Sequence, residues 1–200
     1  MCYITKDIYG GKVPRKVIYT KDLIVSYAFD LVREEGIDSL TARNLAKRMK
    51  SSSQPIFSYF KSMEDVKEEV VLKARDKYNF YISQGLKYSY PFKGVGLMYV
   101  QFARDEKKLF SLLFMGPSEK TSHYLPSYDD NSHKIEEVLV KKYGMNIDSA
   151  KAIYNHLSVF VHGLGCLFAM GSEVFTIEDV DRMLSEEYQS LTNYFKEVKK

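Results

Sequence analysis

Two hundred residues of 23.2 kDa, with a formal net charge of +3, 45% apolar and 28% charged side chains, describe one large domain or a small module plus an ordinary domain. A chain this long buries about 70% of the surface its unfolded state exposes and needs no covalent staples. Its two cysteines, Cys2 and Cys166, build neither a disulfide framework nor a zinc or iron–sulfur site. The longest apolar run, residues 157–170, is fourteen long and carries His162, short of the ~20 residues that span a bilayer. Residues 1–30 hold no apolar core with a cleavage site, so the expectation is a soluble, cytoplasmic protein of a reducing compartment with no membrane partner.

In chain order the pattern is helix after helix, about nine in all, and the predicted class is all-α. The first helix spans about 21–35, with Leu23, Tyr27, Ala28 and Leu31 as its apolar stripe and Gly36 as its stop. A short second helix opens at Thr41, a good N-cap, and buries Leu45, Ala46 and Met49. A third, about 53–60, opens at the Ser51–Ser53 cluster with Pro55 in its first turn, where a missing N–H costs nothing. The fourth starts at Ser62, with Glu64 and Asp65 against its positive end, and runs to about residue 87 along Val66, Val70, Ala74, Tyr78 and Tyr81/Ile82. Further helices are predicted at about 92–104, 106–115, 131–143, 148–170 and 176–198, with residues 118–131 as the longest irregular segment. There is no internal repeat and no low-complexity tract.

The charge is unevenly placed. Residues 1–65 hold eleven Lys/Arg and eight Asp/Glu, a net +3, whereas residues 66–200 hold eighteen of each. Residues 39–63 contain Arg43, Lys47, Arg48, Lys50 and Lys61 and no acid, a footprint suited to nucleic acid or a plain solvated basic face. On a helical wheel Arg43, Lys47 and Lys50 oppose Leu45, Ala46 and Met49. In the third helix Gln54, Ser58 and Lys61, flanked by Phe57, oppose Ile56 and Phe60. Three or four residues separate the two helices, the spacing of a helix-turn-helix unit. Lys/Arg and helix N-termini suit phosphates. Gln54 can pair bidentately with adenine, Ser53 and Ser58 can bond several bases, and the Pro55 ring can touch a thymine methyl.

The segments Thr41-Ala-Arg-Asn-Leu-Ala-Lys-Arg-Met49 and Ser52-Ser-Gln-Pro-Ile-Phe-Ser-Tyr-Phe60-Lys-Ser-Met-Glu64 resemble the helix-turn-helix of the TetR/AcrR family of repressors. About fifty residues, 23–70, carry the resemblance; the rest matches in helix number and length. It implies a three-helix DNA-binding domain over 1–62, followed by a helical effector-binding and dimerisation domain over 63–200. It places Thr41, Ser53, Gln54, Phe57, Ser58, Tyr59 and Lys61 where the family touches DNA. Three positions depart from the pattern: Lys50-Ser51 stand in place of Gly-Val, Phe57 in place of Tyr, and Met63 in place of Lys. If φ at Lys50 is positive, that turn costs of order 1 kcal/mol. The implied function is a ligand-responsive repressor of a double-stranded operator; the alternative is a protein of this fold that binds a ligand or partner but not DNA.

In the C-terminal two-thirds, helix 148–170 has one stripe of Ala150, Ile153, Leu157, Phe160, Val161, Leu164 and Phe168, and a second of Val159, Gly163, Cys166 and Met170. A helix apolar all round must be covered all round. The second stripe, with Leu184 and Leu191 from the stripe Val180, Leu184, Tyr188, Leu191, Phe195 and Val198 of the last helix, is the expected homodimer interface. Full burial inside one chain is the other way to cover it. Aromatics crowd residues 78–114, and Tyr99, Phe102, Phe110, Phe114 and Tyr154 are the candidate lining of a small-molecule effector site between 92–115 and 148–170. Plain core packing is the alternative for any one of them. His156 and His162, six apart, share no helix face and are read as hydrogen-bonded interior or interface residues rather than a metal pair. No Gly-rich phosphate loop, nucleophile elbow or metal-spaced pair occurs, so no catalytic residue, metal or cofactor is expected.

Overall fold

The computed structural model describes residues 19–116, 132–172 and 174–197. Among these lie nine α-helices, one 3-10 turn (Ile37–Ser39) and no strand, the all-α architecture expected. The helices are α1 (Lys21–Glu35), α2 (Ala42–Met49), α3 (Gln54–Phe57), α4 (Met63–Gly85), α5 (Pro91–Asp105), α6 (Lys107–Phe114), α7 (Ser132–Tyr143), α8 (Ile147–Ala169) and α9 (Ile177–Glu197). The expected irregular segment 118–131, Cys2 and Val198 lie outside the described residues.

Local chemistry sets most boundaries. Thr20 Oγ1 accepts from Leu23 N and Thr41 Oγ1 accepts from Asn44 N, so α1 and α2 each begin on a threonine cap. Gly36, at φ 92°, ends α1. Ser62 starts α4 through a capping box. Its hydroxyl accepts from Asp65 N, and the Asp65 carboxylate accepts from the backbone amides of Lys61 and Ser62 at 2.8 and 3.1 Å. The Ser62 hydroxyl and these amides hold the Asp65 carboxyl below its ordinary range.

Two expectations are corrected. The third helix is one turn, Gln54–Phe57, extended by single bonds from Ser58 N to Gln54 O and from Phe60 N to Ile56 O. Ser53 does not cap it: its backbone is already helical (φ −76°, ψ −10°) and its side chain bonds no helix amide. The buried arc of α1 is Ile24, Val25, Ala28, Phe29, Leu31 and Val32, while Leu23 and Tyr27 are only half-buried. The arc is wide because α2, α4 and α6 all pack on this helix.

Helix α5 is the centre of the body, packed by α4, α6, α7, α8 and α9. Its crossing with α4 is glycine-dependent: a Cβ on Gly94 would lie 2.3 Å from Gly85 O, and one on Gly85 would lie 2.6 Å from Gly94 O. A ring cluster fills the space between α4, α5 and α6, with Tyr78–Phe114 centroids at 5.2 Å, Tyr99–Phe110 at 5.6 Å and Phe110–Phe114 at 5.1 Å. Helix α8 is the described helix long and apolar enough to cross a membrane, yet one side of it packs into this core through Ile153, Leu157, Val161, Leu164 and Phe168. The buried core is continuous from Ile24 in α1 to Leu184 in α9.

A polar cluster ties α1 to the body. Arg33 donates to both oxygens of Glu106 at 2.5 and 2.6 Å, and Lys77 of α4 stands 3.7 Å from the same carboxylate. Glu106, between α5 and α6, is 3% exposed, and these two cations pair with its buried carboxylate. Nothing in the local sequence pattern distinguishes Arg33 or Glu106, because their spacing of 73 residues closes only through the fold.

Candidate functional site

The surface formed by α2, the turn and α3 rests on a fully apolar base. Leu45, Met49, Ile56 and Phe60 are buried beneath it, and Tyr19 donates to Met49 O at 2.7 Å to close the end of α2. Above this base Thr41, Arg43, Lys47, Gln54, Phe57, Ser58, Tyr59 and Lys61 are exposed, with Ser53 and Pro55 half-buried at the entry to α3. Most of the sequence-predicted contact residues are therefore solvent-accessible. Phe57 and Tyr59 are 48% and 49% exposed, so their rings are open to a partner.

Two residues are less available than the sequence suggests. Arg48 forms a two-bond pair with Glu34 of α1 at 2.5 and 2.8 Å, which lowers the Glu34 carboxyl and raises the guanidinium. It braces α2 against α1, leaving Arg43, Lys47, Lys50 and Lys61 as the exposed cations of the stretch. Ser58 Oγ donates to Gln54 O at 3.0 Å, so in this conformation its hydroxyl offers only an acceptor outward. Lys50 lies in the left-handed region (φ 53°, ψ 43°), and Ser51 N donates to Ala46 O behind it. This is a Schellman closure made without the usual glycine.

A cavity of about 340 Å³ opens among α4, α5, α7, α8 and α9. Of the predicted lining residues, Tyr99 and Tyr154 face it. Phe102 and Phe110 are 0% exposed and do not line it; with Phe114 they form the ring cluster alongside, because α6 packs inward against α1 and α4 instead of flanking the opening. The walls that sequence reasoning missed come from α9 (Leu184, Ser185, Tyr188, Gln189), from Tyr78 of α4 and from Ile135 of α7. Tyr78 and Tyr188 lay on predicted apolar stripes, but their common space depends on helix packing.

Tyr99 is held by α8: its hydroxyl is 2.9 Å from His162 Nδ1, and His162 Nε2 is 3.5 Å from Cys166 Sγ. The imidazole stacks on Phe110 at 6.0 Å, and burial lowers its pKa and raises that of the Cys166 thiol. His162 is thus a half-buried, hydrogen-bonded residue, whereas His156 is exposed beside the Phe195 ring. Among the described residues no group of three or more His, Cys, Asp or Glu is placed to hold a metal.

The second stripe of α8 is uncovered in the single chain. Val159 and Met170 are 64% and 66% exposed, Cys166 is half-buried, and a Cβ on Gly163 would meet nothing among the described residues within 4 Å. Leu191 is half-buried. Leu184 differs from the expectation: it is 5% exposed, packed beside Gly96 in its own chain as part of the cavity wall.

No family model matches the sequence, and no curated protein matches it. Among solved structures, a TetR variant from Acinetobacter baumannii AYE in complex with minocycline is similar, with a TM-score of 0.54 and 17% identity. The match covers 91% of this chain and 99% of that one. The chain therefore has the TetR fold.

Proposed function

We propose that this chain is a ligand-responsive transcriptional regulator, a repressor that binds a palindromic DNA operator as a homodimer in the cytoplasm. A small molecule in the α5–α8–α9 cavity releases it. The observation that carries the reading is the exposed row Gln54, Phe57, Ser58, Tyr59 and Lys61 set on a buried apolar base, in a chain of TetR fold. Arg43, Lys47, Lys50 and Lys61 would meet phosphates and fix register, while Gln54 and Ser58 would meet base edges. The functional division falls at Ser62: a reading unit before it and an effector and dimer unit after it. No catalytic role is assigned.

The effector half of the reading is supported by the cavity and by the structural neighbour, which was solved with minocycline. Helix α4 links the two halves. Its first residues follow the Ser62 capping box beneath the reading turn, and four turns on Tyr78 joins the cavity wall. A ligand that favours one setting of α4 would change the spacing of the two reading helices in a dimer. Reciprocity then requires DNA to weaken ligand binding by the same factor.

The test is a gel shift with the DNA flanking the chain's own gene. A salt-sensitive shift at nanomolar protein is expected. A folded dimer that shifts none of this DNA, and retards random DNA no better than a neutral protein, would remove the DNA-binding role.

A further inference from the structure

From the charge and polarity of the cavity lining we infer that the ligand is an amphipathic monocarboxylate: an apolar aryl or alkyl body with one anionic head held by Lys93. The inference rests on the proposal that this cavity takes an effector, and it adds the effector's chemical class.

The lining is graded from inside to outside. Tyr78, Tyr99, Ile135, Tyr154, Leu157 and Leu184 are each at most 5% exposed and present ring and aliphatic surface. Tyr90 and Gln189 are exposed at the other end, and Lys93 lies half-buried with them. A charged head cannot sit among the rings without losing its hydration, so it must lie at the outer end.

There the described lining presents a cation. Among the described residues Lys93 is the single charged residue of the lining, and no described Asp or Glu belongs to it. The partner of Lys93 is Asp181 of α9, 2.6 Å away and outside the lining. The Asp181 side chain is 46% exposed and can be rehydrated when a ligand carboxylate takes its place on the ammonium, so the exchange costs little. A cationic head would meet Lys93 directly. Because the Lys93–Asp181 pair also joins α5 to α9, such an exchange reaches the helices that form the body.

One further group favours occupancy. Ser158 lines the cavity, is 4% exposed, and its hydroxyl has no hydrogen-bond partner among the described residues. Tyr99, by contrast, spends its hydroxyl on His162. A polar atom partway along the ligand body would satisfy Ser158.

The test compares three probes with one body, 6-phenylhexanoate, 6-phenylhexanol and 6-phenylhexylamine, by calorimetric titration of the full chain at pH 7.5. The carboxylate should bind about tenfold tighter than the alcohol, and the amine weakest. Lys93→Met should bring the carboxylate down to the level of the alcohol without weakening the alcohol, which separates loss of the head contact from loss of the fold. Leu157→Trp, which fills the cavity, should abolish binding of all three. Equal or tighter binding of the amine, an undiminished carboxylate preference in Lys93→Met, or no binding of any probe to the folded wild type would overturn the inference. Adding each probe to a protein–DNA complex reads the regulatory proposal separately. A carboxylate that binds through Lys93 but leaves DNA affinity unchanged sinks regulation and keeps the ligand class.

Discussion

Lys50 shows most directly how one side chain can be at odds with its backbone. It holds the left-handed position closing α2, where an L-residue with a Cβ is disfavoured by about 1 kcal/mol. Lys50→Gly should raise the unfolding free energy by up to about 1 kcal/mol, read as a higher urea midpoint at unchanged slope. The same change removes an exposed cation from the proposed DNA face, so it should lower the salt dependence of any DNA binding. No gain in stability would mean that the lysine makes a compensating contact. His162 gives a second residue-scale expectation. Burial lowers its pKa from the ordinary 6.5, so the unfolded chain takes up the proton first as pH falls. Stability from this group is therefore complete above pH 6.5 and is lost below it, and His162→Gln should flatten the difference between urea midpoints at pH 7.5 and 5.5. These two residues were unequally legible. The Lys in a Gly position was visible as a departure, whereas the Tyr99–His162 bond joins residues 63 apart and has no local signature.

At the scale of elements, caps and stripes were readable and inter-helix geometry was not. Thr41, Ser62 with Asp65, and Pro91 after Tyr90 each act at the helix start where their side-chain chemistry places them. Ser53 fails as a cap because Pro55 and the short turn bring its backbone into the helix. The single-turn length of α3 also escaped the periodicity, since Ile56 and Phe60 recur at four-residue spacing whether or not the helix continues. The α4–α5 crossing has no local signature in the sequence: a Cβ on Gly94 would collide with Gly85 O at 2.3 Å and Tyr88 Cβ at 2.6 Å. Gly94→Ala should therefore cost about 1–3 kcal/mol, toward the upper end because one contact is backbone. Thermal unfolding reads it, and an unchanged Tm would mean that the helices separate freely at this point. The aromatic residues divided the same way: composition foretold a ring-rich body, but only packing decides that Tyr99 faces the cavity while Phe102 and Phe110 are sealed in the core.

At the scale of the whole molecule, the uncovered stripe of α8 stands at one place and the exposed reading turn at another. The proposed dimer gives both a use. Gly163→Arg tests it cleanly, because among the described residues nothing lies within 4 Å of a Cβ there and the variant should fold normally. Light scattering should give twice 23.2 kDa for the wild type and 23.2 kDa for the variant. A wild-type monomer at micromolar concentration would contradict the dimer. The proposed two-part layout rests on charge that collects before residue 66 and on apolar double-faced character after residue 147; the single core that runs from α1 to α9 has no local signature in the sequence. The central claim, that the face bearing Gln54 and Ser58 reads DNA, is tested most directly by selecting binding sites from a random DNA pool. Wild type should enrich a palindrome with half-sites about 34–36 Å apart or somewhat more. Gln54→Ala and Ser58→Ala should relax preference at particular positions, by about 1–3 kcal/mol each where they bond a base directly. Lys47→Ala and Lys61→Ala should keep the motif and weaken binding to every sequence alike. No enriched motif, or a motif that shifts with the lysines and stays fixed with Gln54 and Ser58 replaced, would contradict the account.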